Sequence, residues 1–172
     1  AAYLGGAATV ELCSAMHADG LTPLKHHIAE ARRAFKNRRG LMVMIRPRAG
    51  DFHYAEDAFE QMRRQLESAA RHGADGVVFG VLTKQGDVEL NQLQDLVGLA
   101  HQHRLLTTFH RAFDATPNWS TALTMLIEAG VDRVLTSGTP WGSNQSADQG
   151  IAQLSDVVAH AQGNIEVVIG GG

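Results

Sequence analysis

Six short apolar runs recur along the chain at intervals of about thirty residues, and this periodicity constrains the fold more than any other feature. Their starting positions lie near residues 10, 41, 77, 105, 133 and 165. Each run is bounded by turn residues, which is typical of strands covered on both faces of a parallel sheet. Five segments with apolar residues at helical spacing separate the runs. The alternation predicts an α/β fold built from consecutive βα units.

Parallel βα units form either a closed barrel or an open doubly wound sheet. An open sheet normally has a glycine-rich phosphate turn after its first strand, and Cys13-Ser-Ala-Met-His17 is not such a turn. Regular units with polar residues at nearly every strand end favour a TIM (β/α)8-type barrel. Six strands are visible, and we assign them as the second to seventh of eight. We therefore expect residues 1–172 to be one barrel domain, as a fragment that lacks the first strand and the C-terminal part.

Bulk properties exclude several classes of partner. The 172 residues carry a formal net charge of -3, which argues against nucleic acid and anionic membranes as partners. No apolar run is long enough to span a bilayer, and no signal peptide is visible. The single cysteine, Cys13, excludes an internal disulfide framework and fits a reducing compartment. These observations predict a cytoplasmic protein.

Polar residues at the strand ends are the candidates for a functional site, because barrel active sites form at the C-terminal ends of the strands. Side-chain alternation places Glu11 and Cys13 on one side of the first strand, with Val10 and Leu12 facing the helices. A carboxylate in such an apolar run needs a partner, and Arg46 or Arg48 on the neighbouring strand is the obvious one. This pairing has two readings, a buried ion pair that fixes strand register or part of an active site.

The strand near residue 105 ends in His110, Arg111 and Asp114. Alternation favours an inward His110, with Arg111 free to pair with a loop carboxylate such as Asp114. A carboxylate and an imidazole near guanidinium groups could orient an anionic small molecule and transfer a proton. We therefore predict Glu11, His110 and Asp114 as the catalytic group.

A second predicted set would bind an anion, because an arginine fork matches the oxygens of phosphate or carboxylate and many barrels hold phosphate through backbone N–H groups. Its members are Arg46, Arg48, Arg111, Ser137, Gly170 and Gly171.

The soft donors Cys13 and Met16 lie three residues apart and form the candidate metal site. Thiolate and thioether ligands select Cu(I) among the biological metals. The alternative is a small buried thiol without a ligand, which is the commoner role for a single cysteine.

Five motifs in the same order resemble the CutC family over nearly the whole chain. They are Val10-Glu-Leu-Cys-Ser14, Gly20-Leu-Thr-Pro23, Ile45-Arg-Pro-Arg-Ala-Gly-Asp-Phe52, Thr108-Phe-His-Arg-Ala-Phe-Asp114 and Arg133-Val-Leu-Thr-Ser-Gly138. The resemblance implies a TIM-like barrel, a cytoplasmic location, a dimer or larger homo-oligomer, and a role in copper homeostasis.

Three hypotheses stay open at this point. The first is a CutC-type protein that handles copper, with Cys13 as a ligand. The second is an enzyme or binding protein for a small anionic, phosphorylated molecule that uses Glu11, Arg46, Arg48 and His110. The third is a scaffold in which these groups only satisfy one another.

Overall fold

The computed structural model describes residues 2–170 as alternating strands and helices. The strands are β1 (Val10–Leu12), β2 (Leu41–Met44), β3 (Gly76–Phe79), β4 (Leu106–Phe109), β5 (Arg133–Thr136) and β6 (Glu166–Ile169). The helices are α1 (Lys25–Phe35), α2 (Glu56–Arg71), α3 (Leu90–Gln102), α4 (Trp119–Glu128) and α5 (Ile151–Ala161). Short 3-10 turns follow β1, β4 and β5 at Met16–Ala18, Arg111–Ala115 and Ala147–Gly150.

The strands form one parallel sheet in sequential order, β1-β2-β3-β4-β5-β6. Val10 is opposite Leu41 at one end of the order, and Arg133 is opposite Glu166 at the other. A helix connects each strand to the next, as expected of consecutive βα units. The predicted TIM-type α/β fold with six strands is therefore confirmed.

Contacts within the chain group into two compact units. The first comprises residues 2–51, 55–79 and 98–107, and the second comprises residues 52–54, 80–97 and 108–170. In the first unit the predicted apolar face of α2 is buried at Phe59, Met62, Leu66 and Ala69. In the second unit α4 buries Ala122, Leu123 and Leu126, and the Asn118 side chain caps its N-terminus.

The close packing of strands in the first unit depends on a glycine. A methyl group at Gly76 would lie 2.4 Å from Cε of Met42 and 2.7 Å from the carbonyl oxygen of Leu106. A partly buried carboxylate fixes the start of β2 nearby, because Asp75 accepts hydrogen bonds from Arg32 and from the backbone N–H groups of Gly40 and Leu41. Among residues 2–170, none of the helices is long and apolar enough to cross a membrane.

Candidate functional site

The side chains of β1 alternate as the sequence predicts. Val10 lies beside α1, where it lines a shallow groove with Ala31 and Phe35. Cys13, on the opposite side, packs against the buried cluster of Met42, Met44 and Val78. The thiol is therefore surrounded in part by thioether side chains of β2.

Cys13 and Met16 form a sulfur pair, with Sγ of Cys13 donating to Sδ of Met16 across 3.1 Å. The loop that carries Met16 is closed at its base by reciprocal backbone hydrogen bonds between Ser14 and Leu21, both 2.8 Å long. Ala15 and Asp19 on either side of the 3-10 turn have left-handed backbones, with φ of 49° and 59°. Such conformations cost non-glycine residues about 1–2 kcal/mol each. The surrounding hydrogen bonds must maintain this strained geometry.

Glu11 differs from the prediction. It is an exposed residue, and neither Arg46 nor Arg48 nor any other group within residues 2–170 forms a hydrogen bond or ion pair with its carboxylate. The expected buried ion pair was wrong because β1 leaves Glu11 open to solvent on one side. Protein atoms nevertheless remove part of the hydration of the carboxylate, and this desolvation raises the pKa of Glu11 above its ordinary value.

The Cys13 thiol is affected by the same surroundings. Partial burial is the main cause that raises the pKa of Cys13, and the negative charge of Glu11 raises it further. The thiol form is therefore favoured at neutral pH. A metal that binds here has to displace a proton, which makes its binding pH-dependent.

Arg46 is buried, with 1% of its surface exposed, and it contacts backbone rather than an acidic side chain. Its Nη1 donates to the carbonyls of Ala18, Asp19 and Gly20 at 2.9, 3.2 and 3.3 Å. Its Nη2 donates to the carbonyl of Gly50 at 2.9 Å. These bonds engage both terminal nitrogens of the guanidinium group, and the predicted anion-binding role of Arg46 stays a prediction.

Arg48 lies at the surface and pairs with the exposed carboxylate of Asp51 at 2.5 Å. The two residues are three positions apart, and Nη1 of Arg48 also donates to the carbonyls of Ala49 and Asp51. An exposed local pair of this kind contributes only about 0–1 kcal/mol to stability. The position of Arg48 is compatible with contact to a ligand, and its predicted anion-binding role stays a prediction.

His110 is buried at the end of β4 in the second unit. The backbone N–H of Ala112 donates to its Nδ1 at 3.1 Å, so we assign the proton of the neutral ring to Nε2. The ring lies 5.0 Å from the ring of Phe52, measured between centroids. A methyl group at Gly80 would come within 2.5 Å of its Cε1. The imidazole is thus held in one orientation, as a group that transfers protons requires.

Asp114 is the centre of a buried polar network. Its side chain is fully buried, and Nε of Arg111 donates to it at 2.8 Å, as the sequence predicts. It also accepts from the hydroxyl group of Thr136 and from both the backbone N–H and hydroxyl of Ser137. Four donors leave the carboxylate little capacity for a substrate, which favours a positioning role over the predicted catalytic one.

The same network orients Arg111. Its Nη2 donates to the Ser137 hydroxyl at 2.6 Å, and its guanidinium lies 5.3 Å from the centre of the Trp141 ring. The Trp141 ring in turn contacts Phe52, with centroids 5.2 Å apart. Sequence reasoning missed Trp141. The signal for it was the Pro140-Trp-Gly142 turn, which places a large aromatic side chain directly after β5.

Of the glycines after β6, the structure describes Gly170. The N–H of Gly170 donates to the carbonyl of Thr136 at 3.1 Å and continues the pairing of β5 with β6. Because that N–H is used in the sheet, the structure corrects the prediction that it binds an anion. Gly171 lies outside the described residues.

The predicted residues therefore fall into two groups. Cys13 and Met16 belong to the first unit with Glu11, Arg46 and Arg48, whereas His110, Arg111, Asp114, Ser137 and Gly170 belong to the second. A common site around Glu11, Arg46 and His110 stays a prediction. Within residues 2–170, no group of three or more histidine, cysteine, aspartate or glutamate side chains is arranged to hold a metal ion.

Comparison with known sequences identifies relatives along the whole chain. The CutC family matches residues 1–172. A CutC family protein of Vibrio atlanticus is 40% identical over 171 residues, which cover 99% of this chain and 67% of that protein. One from Bacteroides fragilis is 41% identical over 172 residues, covering 100% of this chain and 66% of the relative. The chain thus spans about two thirds of the length of these relatives.

Solved structures agree with this assignment. A candidate copper homeostasis protein CutC from Streptococcus agalactiae superimposes with a TM-score of 0.87 at 29% identity, covering 95% of this chain and 78% of that one. A deoxyribose phosphate aldolase from Aeropyrum pernix has a TM-score of 0.61 at 16% identity, covering 86% of this chain and 60% of the aldolase. The aldolase shares the fold alone. On the match over all 172 residues and the identity to curated relatives, the chain belongs to the CutC family.

Proposed function

We propose that this chain takes part in copper homeostasis by binding Cu(I) through the Cys13 thiolate and the Met16 thioether. The observation that carries the proposal is the 3.1 Å contact between the two sulfur atoms. The name of the Streptococcus agalactiae relative supports copper homeostasis as the setting. We expect the binding to take place in the cytoplasm, where a single thiol stays reduced.

The donor set fits Cu(I) better than the other common metals. A thiolate and a thioether are soft ligands, whereas Zn²⁺ sites usually take four donors from cysteine, histidine and carboxylate side chains. The Cys13 thiol also packs against Met42 and Met44, which keeps further thioether groups close by. Because the pKa of Cys13 is raised, Cu(I) has to displace a proton, and the apparent affinity should rise with pH.

Anaerobic titration with Cu(I) against a chromophoric chelator tests this function. We expect Cys13→Ala to weaken Cu(I) binding at least tenfold relative to the parent chain, and Met16→Leu to weaken it by a smaller factor. Met125→Leu is the matched control, because it removes a thioether from α4 at a distance in sequence from the sulfur pair. Equal Cu(I) affinity of the parent chain and Cys13→Ala would contradict the proposal.

A second candidate function is the binding of a small anion by Arg111, and we propose it on a separate observation. Bonds to Asp114 and Ser137 use Nε and Nη2 of Arg111, and within residues 2–170 no hydrogen bond engages Nη1. The side chain is 21% exposed. A guanidinium that is oriented by a buried carboxylate and partly open to solvent is suited to binding phosphate or carboxylate oxygens.

Inorganic phosphate is the probe for this second function. We expect a titration to shift the NMR signal of the Arg111 Nε–H group, and Arg111→Lys to lose the response because lysine lacks the fork. Arg71→Lys is the control, since Arg71 forms only a surface pair with Glu67. An Arg111 signal that does not move with phosphate would remove this candidate. The catalytic roles of Glu11 and His110 stay predictions in either case.

A further inference from the structure

Arg46 holds the loop that carries the sulfur pair. Three consecutive carbonyls of that loop, from Ala18 to Gly20, accept hydrogen bonds from Nη1 of Arg46. The backbone of Arg46 extends the contact, because its N–H donates to the Thr22 hydroxyl at 2.8 Å and its carbonyl accepts from the Thr22 N–H at 3.0 Å. One residue of the strand end thus forms five hydrogen bonds to residues 18–22.

The position of Met16 depends on this loop. Met16 is 71% exposed, and within residues 2–170 its thioether forms one hydrogen bond, to the Cys13 thiol. The backbone on both sides of the 3-10 turn is in the strained left-handed region, at Ala15 and Asp19. A loop with such a conformation relaxes unless other contacts oppose the strain. The carbonyls that Arg46 binds belong to the last residue of the turn, Ala18, and to the two residues after it.

We infer that Arg46 is a positioning residue for the copper-binding sulfur pair, one that holds Met16 within reach of Cys13 without touching the metal itself. This inference rests on the proposed Cu(I) site. It differs from the role that the sequence indicates for Arg46, because the guanidinium acts on backbone carbonyls instead of an anionic ligand. A planar fork with five donors can hold several carbonyls at once, which a lysine ammonium on a flexible stem cannot do in the same geometry.

The inference predicts a specific effect of Arg46→Met. We expect the variant to bind Cu(I) at least tenfold more weakly than the parent at a temperature where both are folded. In the copper-free protein, NMR should show loss of the nuclear Overhauser contact between the Met16 methyl group and the Cys13 β-protons. On addition of Cu(I), the Met16 methyl signal should no longer shift, even though Cys13 is unchanged.

Arg32→Met is the matched control for a general loss of stability. Arg32 is another guanidinium of the first unit that donates to three backbone carbonyls, those of Gly73, Lys36 and Arg38. We expect its loss to lower the melting temperature while the Met16–Cys13 contact and the Cu(I) affinity stay at the parent values. If Arg46→Met does not fold, Arg46→Lys is measured instead, and we expect this variant to lose part of the Met16–Cys13 contact.

The experiments distinguish a failure of the positioning role of Arg46 from a failure of the proposed copper site. If the Met16–Cys13 contact and the Cu(I) affinity are unchanged in the folded Arg46 variant, the positioning role is wrong and the copper site stands. If Cys13→Ala binds Cu(I) like the parent chain, the proposed function is wrong. In that case the nuclear Overhauser contact between Met16 and Cys13 in the copper-free protein still tests whether Arg46 positions the loop.

Discussion

At the scale of single residues, the hydrogen-bond partners of each polar side chain distinguish residues with a structural role from candidate functional residues. Arg46 donates to backbone carbonyls through both Nη1 and Nη2, and Asp114 accepts from four donors. Glu11 is the contrasting case, a partly dehydrated carboxylate without an ion pair among the described residues. A charge left in such a position costs stability, and proteins retain it where it serves another purpose.

Glu11→Gln should make the chain more stable at neutral pH. The pKa of Glu11 in the folded chain is raised above its ordinary value of 4.5. The stability that protonated Glu11 contributes is therefore fully present below pH 4.5, and it is lost as the pH rises through the pKa of the folded state. Glutamine does not titrate. We expect urea denaturation to show equal stability of variant and parent near pH 4 and a more stable variant at pH 7. A larger difference at pH 4 would contradict the assignment.

The same substitution should make the Cys13 thiol more reactive. The charge of Glu11 is the second cause of the raised pKa of Cys13, after burial, and glutamine removes that charge. A lower pKa gives more thiolate at pH 7, and the thiolate is the form that reacts. We expect faster alkylation by iodoacetamide and a rate profile displaced to lower pH. An unchanged profile would mean that burial alone sets the pKa of Cys13.

Gly80→Ala should displace the His110 ring. The added methyl group would lie 2.5 Å from Cε1 of His110 and 2.7 Å from Cβ of Ala112, neither of which can move freely. Overpacking of this kind costs about 1–3 kcal/mol. Gly98→Ala in α3 is the control, because nothing lies within 4 Å of the added methyl, and there alanine should stabilise by about 0.5–1 kcal/mol. Chemical denaturation measures both, and similar effects would refute the steric argument.

At the scale of elements, Asp114 joins the 3-10 turn after β4 to the end of β5. Its carboxylate receives the Thr136 hydroxyl and the Ser137 N–H from β5 and the loop after it, and the Arg111 guanidinium from its own turn. The backbone adds a second link, since the N–H of Trp141 donates to the carbonyl of Asp114 at 3.0 Å. The polar ends of two adjacent strands are therefore fixed by one buried residue.

Asp114→Asn should destabilise the chain strongly, because the amide group places donors against donors at a fully buried position. Breaking a buried, hydrogen-bonded charge costs about 3–5 kcal/mol. Glu67→Gln removes the exposed partner of Arg71 on α2 and should change the free energy of unfolding by less than about 1 kcal/mol. Urea titrations followed by circular dichroism test both, and a change of less than 1 kcal/mol for Asp114→Asn would argue against the network.

At the scale of the whole molecule, the sheet has two strands, β1 and β6, that each pair on one side within the described residues. Beside β6 lies an apolar surface formed by Ile169, Ile151 and Val158, which are 57%, 62% and 52% exposed. An exposed apolar patch favours association with other chains. This agrees with the homo-oligomer that the sequence analysis expects, which stays a prediction.

Ile169→Lys should therefore reduce self-association of the chain. The substitution places a charge in the middle of the apolar surface, which makes burial of that surface against another chain unfavourable. Leu24→Lys is the control with the same change in net charge, at an exposed leucine whose neighbours include Thr22, Lys25 and Gln65. Sedimentation velocity over a range of concentrations measures the effect. Equal association of both variants would exclude the β6 surface.

Much of the fold could be predicted from the sequence because strands and helices leave local patterns. All six strands and five helices were expected, and Phe59, Met62 and Leu66 are buried as their helical spacing indicates. The Arg111–Asp114 pair was also predictable, since the partners lie three positions apart in the sequence. The exposure of Glu11 was not predictable, because burial depends on how far neighbouring elements cover a strand. Spacing within one strand carries no information on that.

The sequence by itself determined the order of βα units and the face of β1 on which Glu11 and Cys13 lie, because both follow from periodicity along the backbone. It also limited the soft metal donors to one thiol and a few thioethers. Only the tertiary structure decided that Arg46 donates to the backbone carbonyls of the loop that carries Met16. It also decided that the Asp114 carboxylate accepts hydrogen bonds from four donors. Hydrogen bonds between residues distant in the chain depend on the path of each loop, and that path is set by packing.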